Sequence, residues 1–194
     1  CRFSYTPDSR VIEIADTLRY KRIPCDAIWM DIDYMDGYRI FTFNPQGFPD
    51  PKAVNRDLHL RGFHSVWMID PGAKAETGYS VYDSGTANDV WVKTADGKEY
   101  NGDAWPGKVA WPDFTDPKVC QWWGGLYKDF MAQGVDGVWN DVNEPQVSNT
   151  PTGTMPEDNL HRGGNGIPAG THLQYHNVYG FLMVKSSREG MLAA

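Results

Sequence analysis

The stretch VDGVWNDVNEP, residues 135 to 145, sets Asp141 and Glu144 where an apolar run stops and the chain must turn. A carboxylate leaving a strand at that point, flanked by Trp139 and Asn143, is placed to face a bound ligand while neighbouring donors hold it still. Such a group suits a nucleophile. Two carboxyl groups across a glycosidic bond give hydrolysis: one attacks the anomeric carbon, and in retaining enzymes the other protonates the leaving oxygen from about 5–5.5 Å away. The same residues suit a plain turn in which Asp141 and Asn143 cap backbone groups and Pro145 ends the strand. On this stretch alone both readings stand.

A second acidic run, DIDYMDG at residues 31 to 37, invites two other chemistries. A calcium loop wants acids at its first, third and fifth places, glycine at the sixth and glutamate at the twelfth. Here Asp36 and Gly37 arrive one place late and Thr42 occupies the twelfth, so calcium is not expected. Asp31 and Asp33 also fit the DxD of aspartate-nucleophile phosphotransferases, although Met35 stands where a hydroxyl residue is usual. That reading is the alternative function. His59, His64, His161, His172 and His176 form no HExxH or comparable set, and His172 with His176 at helical spacing reads as a solvated face. The glycines of HRGGNG lack the preceding strand and following lysine of a phosphate loop. Neither a metal nor a cofactor is expected.

The elements that must position these acids follow from periodicity and punctuation. TPDSRVIEIADTLRYKRIP reads as a helix with Asp8 or Ser9 as cap and Val11, Ile14, Ala15 and Leu18 as its apolar stripe. CDAIWMDID follows as a buried strand. A helix opens at Asp50 and Pro51, stops near Gly62, and feeds a second strand in FHSVWMIDPG. Residues 75 to 105 break this rhythm with short β-prone pieces between turn signals, which predicts a small β-rich insertion. Another helix starts at Asp116 and Pro117, carries Val119, Trp122, Leu126 and Phe130 on one side, and ends at Gly134. The third strand is VDGVWND. Residues 146 to 170 are loop-like, and a last helix begins near Thr171.

Side by side, AIWMDID, SVWMID and GVWND each carry a Trp followed two or three residues later by an Asp. Continuously apolar strands that end in acids and alternate with helices describe parallel β/α units. In a barrel built of such units, Asp31, Asp70 and Asp141 would converge at the carboxyl ends of the strands. A doubly wound sheet would also gather them at strand ends. An eight-unit barrel needs about 250 residues. With 194 residues and three strands, the chain reads as one partial domain, 1–194, starting mid-domain, and its compartment is left open.

Composition narrows the partners. The formal net charge of -7 argues against a phosphate-tracking surface, so nucleic acid is not expected. Eight Trp, ten Tyr and eight Phe suit a pocket lined with flat apolar faces of the kind that bind sugars, although each ring taken singly reads as core. No run reaches the ~18 apolar residues of a membrane span. Cys1, Cys25 and Cys120 have no paired spacing.

At WNDVNEP the chain resembles glycoside hydrolase family 31, the α-glucosidases and their relatives, whose nucleophile signature is usually WxDMNEP. IWMDIDYMDGYRIFTFN, FHSVWMIDPG, AWPG at 104 to 107 and WPDFTDP at 111 to 117 appear in that family's order, and CRFSY is similar to its CRWGY. Val142 stands for the usual Met and Phe3 for the usual Trp.

The resemblance implies a retaining hydrolase of α-linked glucosides on a (β/α)8 TIM barrel, of which this chain holds about strands two to four. It implies Asp141 as nucleophile, Asp31 as the carboxylate holding sugar hydroxyls in the minus-one subsite, and Ile32, Met68, Trp105 and Trp139 as that subsite's wall. Asp70 and Glu144 then support the nucleophile's surroundings. The implied partner is an α-linked oligosaccharide or glucoside. The family's acid/base, in a WTGDN-like segment downstream of the nucleophile, is absent from these residues, so the chain is expected to be inactive alone. The alternative is a piece that binds sugar without catalysis, or that associates with itself or with the rest of the barrel through open sheet edges.

Overall fold

The structure, a computed structural model, describes residues 2–194. The CRFSY likeness therefore begins at a residue outside the described ones. In chain order the elements are α1 (Asp8–Tyr20), β1 (Ala27–Trp29), two 3-10 turns (Ile32–Tyr34 and Asp36–Tyr38), α2 (Pro51–Leu60), β2 (His64–Ile69), β3 (Ala73–Lys74) and α3 (Ser80–Ala87). They continue with β4 (Asn101–Ala104), β5 (Gly107–Ala110), α4 (Pro117–Met131), β6 (Gly137–Asn140), β7 (Leu160–His161), β8 (Gly170–Thr171) and α5 (His172–Ala193). The fold is α/β and divides into two units. One runs to Ile69 and takes in Asp129–Trp139; the other comprises Asp70–Lys128 and Asn140–Ala194.

The first unit holds an open sheet in the order β1-β2-β6, with β1 parallel to β2. These are the three strands predicted from the Trp and Asp repeat. β1 is shorter than its apolar run, because the Asp31 carboxylate accepts the Ile32 amide at 2.8 Å and turns the chain into a 3-10 segment. α2 begins as predicted, with Asp50 Oδ1 accepting the Ala53 amide at 2.9 Å and Pro51 in the first turn. Asn55 of α2 is buried with both ends of its amide used. It donates to the Gln133 carbonyl at 2.8 Å and accepts from Trp67 Nε1 at 3.1 Å. Around Trp67 the core is aromatic: Tyr34 meets it edge-on at 4.8 Å, and Phe43 stacks on Phe130 at 5.2 Å.

Three predicted details differ. α1 has Pro7 rather than Asp8 or Ser9 at its N-cap, since Asp8 is already helical and supplies a negative charge to the first turn. α4 buries Val119, Trp123, Tyr127 and Phe130, so its inner face is displaced by one residue from the expected Trp122 and Leu126. The polar tips decide this: Trp123 Nε1 and the Tyr127 hydroxyl both donate to Ser187 Oγ, at 3.0 and 2.9 Å, which lets two large amphipathic rings be buried whole. Finally, residues 75 to 105 are mixed rather than β-rich, because they contain α3 as well as β4.

On α3 Val81 and Gly85, one turn apart, are buried, and Gly85 lies against the Trp91 ring. A Cβ on Gly85 would stand 2.2 Å from Trp91. Beyond it, β3, β5 and β4 make an antiparallel sheet in that order, with a hairpin at Ala104–Gly107. Gly85→Ala is expected to destabilise the protein by about 1–3 kcal/mol through overpacking. A thermal melt of the variant checks this, since the substitution would otherwise raise helix propensity and stability.

Candidate active site

In the first unit Asp31 lies two residues beyond β1. One of its oxygens accepts the Ile32 amide and the other the Phe3 amide at 3.0 Å, so the carboxylate is fixed by backbone donors. Ile32 is half-buried beside it. Burial, and then the neighbouring Asp31 charge, raise the Asp33 pKa. Met68 is fully buried in β2, where its carbonyl accepts the Tyr34 hydroxyl at 2.5 Å. Trp139 of β6 donates its indole N–H to the Met30 carbonyl at 2.9 Å and packs edge-on against Trp29, with centroids 6.4 Å apart. Trp29 is left 45% exposed, an aromatic face open to a partner.

In the second unit Asp70 directly follows β2 and is 3% exposed. It accepts the indole N–H of Trp105 at 2.9 Å, which pins the tip of the β4–β5 hairpin. Trp105 itself is 37% exposed, so one edge is anchored while the ring stays accessible. Asp141 directly follows β6, and its Oδ1 accepts the Val142 amide at 3.0 Å. Val142 takes a left-handed φ of 45°, and the Gln146 amide closes the turn on its carbonyl at 2.9 Å. Glu144 is exposed and precedes a cis Pro145. A groove of about 570 Å³ along α4 and α5, walled by Cys120, Gly124, Lys128, Lys185 and Glu189, includes none of the predicted site residues.

The second unit also holds a buried polar row that sequence reasoning missed. Asp113 is fully buried; its Oδ1 is 2.8 Å from His161 Nδ1 and accepts the Thr115 hydroxyl at 2.6 Å, while its Oδ2 accepts the Arg162 amide at 2.7 Å. His161 Nε2 is 3.2 Å from His172 Nδ1, and His172 Nε2 is 3.2 Å from His176 Nδ1. His172 is therefore not on a solvated face: it is 1% exposed. The helical spacing to His176 was visible, but the partners are His161 in β7 and Asp113 between β5 and α4. Among the described residues no group of three or more His, Cys, Asp or Glu is arranged to hold a metal ion.

The whole chain, residues 1–194, matches the model of the glycosyl hydrolases family 31 TIM-barrel domain. The chain belongs to glycosyl hydrolase family 31. It is 44% identical over 190 residues to alpha-glucosidase 2 of Bacillus thermoamyloliquefaciens, covering 98% of this chain and 24% of that protein. Among solved structures, a family 31 alpha-glucosidase from Bacteroides thetaiotaomicron is 73% identical with a TM-score of 0.82, covering all of this chain and 30% of that one. The glucosidase II alpha subunit superposes with a TM-score of 0.91 at 35% identity, covering 99% of this chain and 20% of that one. This family 31 chain thus spans between a fifth and a third of the relatives it matches.

Burial, reinforced by the charges of His161 and His176, depresses His172 to about 3. Burial also pushes Asp113 up, but its hydrogen bonds and the His161 charge outweigh this and leave it below the usual carboxylate range. A His with a folded pKa below its ordinary 6.5 binds a proton more readily when unfolded, so stability rises with pH across that window. The contribution is complete above about pH 6.5 and is lost as pH falls toward 3. His172→Asn is therefore expected to flatten the rise of melting temperature with pH over that range, measured by calorimetry against the parent protein.

Proposed function

We propose that this chain is part of a retaining α-glucosidase in which Asp141 is the nucleophile. The observation that carries the reading is the position of Asp141 at the residue after β6 in a family 31 chain. The three strands β1, β2 and β6 of one sheet then act as about strands two to four of an eight-stranded barrel, and residues 75 to 105 as an insertion in a single catalytic domain. The substrate is a terminal α-linked glucoside, and no cofactor takes part.

In the first step an Asp141 oxygen attacks the anomeric carbon from the face opposite the leaving group. The C–O bond to the aglycone breaks, and the departing oxygen takes a proton from an acid outside these 194 residues. A β-glycosyl ester on Asp141 results. In the second step the conjugate base of that acid removes a proton from water, and the water oxygen displaces Asp141 to restore the α-configuration.

Asp31, already fixed by two backbone donors, holds sugar hydroxyls with lone pairs left over. The residues that the family likeness gives to the apolar wall of the minus-one subsite are Ile32, Met68 and Trp139 in the first unit and Trp105 in the second. Asp70 acts through Trp105, whose ring it orients. Glu144 supports the turn that carries the nucleophile.

In the protein that carries these residues, Asp141→Ala is expected to lower turnover of an aryl α-glucoside by about 10⁴-fold or more while the fold is kept. The isolated 194-residue polypeptide is expected to give no turnover, since a nucleophile without its acid cannot expel a poor leaving group well. A fully active Asp141→Ala protein, or brisk hydrolysis by the isolated polypeptide, would overturn the respective parts of the reading.

A further inference from the structure

The turn after β6 is held by groups for which the proposed chemistry has no use. Val142 is β-branched and sits at φ 45°, a conformation that costs such a residue about 1–3 kcal/mol and persists only where its surroundings over-determine it. Two contacts from the same unit do so. The Thr154 hydroxyl lies 2.7 Å from the Pro145 carbonyl oxygen and 3.3 Å from His172 Nε2. Having one proton, it donates to the nearer acceptor, Pro145. Behind it stand the buried His172, His161 and Asp113, with the half-buried His176 at the far end of the row. On the other flank α5 passes close to the turn at Gly180, where a Cβ would stand 2.8 Å from the Asn143 carbonyl oxygen.

We propose that Thr154 and Gly180 are positioning residues for the Asp141 carboxylate. Thr154, backed by His172, fixes the Pro145 end of the turn, and Gly180 lets α5 brace it at Asn143. Both act on the backbone of the turn rather than on substrate. The inference rests on Asp141 being the nucleophile. Displacing an attacking group by about 1 Å can cost 10²-fold in rate. Ground-state binding to other parts of the subsite is untouched, so the loss falls on kcat and spares KM.

The test uses the protein that carries these residues, with Thr154→Val, Thr154→Ser and Gly180→Ala variants. Hydrolysis of an aryl α-glucoside is measured together with hydrogen exchange of the Gln146 amide, which closes the turn on the Val142 carbonyl. Thr154→Val and Gly180→Ala are each expected to lower kcat by about tenfold or more at nearly constant KM, with faster Gln146 exchange. Thr154→Ser, which keeps the hydroxyl, is expected to restore both readouts. If Thr154→Val does not fold, Gly180→Ala carries the test, since alanine favours a helix.

Unchanged kcat in a folded variant overturns the proposal. So does a loss of kcat that serine fails to restore while Gln146 exchange stays at the parent rate. A parent protein with no glycosidase activity would refute the functional reading instead, and Gln146 exchange would still decide whether Thr154 and Gly180 hold the turn.

Discussion

A β-branched residue in the left-handed region is the constraint around which the turn after β6 is organised. Val142 takes that conformation immediately after Asp141, one residue past the end of β6, and the Gln146 amide closes the turn on its carbonyl. Strain of about 1–3 kcal/mol at one residue is a large share of a domain's net stability. It survives because Thr154 donates to the Pro145 carbonyl, because α5 passes close to Asn143 at Gly180, and because His172 and His161 behind Thr154 are buried and linked to Asp113. A buried polar row is stabilising only when every member is satisfied, so its cohesion depends on the neutral His172.

The acids at the strand ends divide into two kinds by what occupies their oxygens. Asp31 and Asp141 accept from backbone amides one residue on, which fixes their orientation and leaves lone pairs for a ligand. Asp70 is buried and spends an oxygen on the indole N–H of Trp105. In the function proposed above, the same residue type at the same place in consecutive β/α units would serve as a ligand in one and as a brace in the next.

What could be read from the sequence was what is encoded locally. The three strands were found because each apolar run ends in an acid, and α2 because Asp50 and Pro51 mark its start with a cap and a ring. The order of motifs around WNDVNEP pointed to the family that the chain belongs to. Features set by distant partners were hidden. Ser187 decides which face of α4 is buried by accepting from Trp123 and Tyr127 some 60 residues away. Likewise α3 depends on the fit of Trp91 over Gly85, and the burial of His172 on His161 and Asp113. Periodicity alone gave His172 and His176 a solvated face, because a polar pair at helical spacing looks the same whether water or a buried carboxylate completes it.

The central claim is that an oxygen of Asp141 becomes covalently bonded to the sugar. The most direct measurement is to treat the protein that carries these residues with a fluorinated α-glucosyl fluoride, whose electron-poor ring slows release of the glycosyl ester, and then to digest it and sequence the labelled peptide by mass spectrometry. The account predicts one fluoroglycosyl group on Asp141 within VDGVWNDVNEP. A label on Asp31, Asp70 or Glu144, or turnover without any covalent adduct, would contradict it.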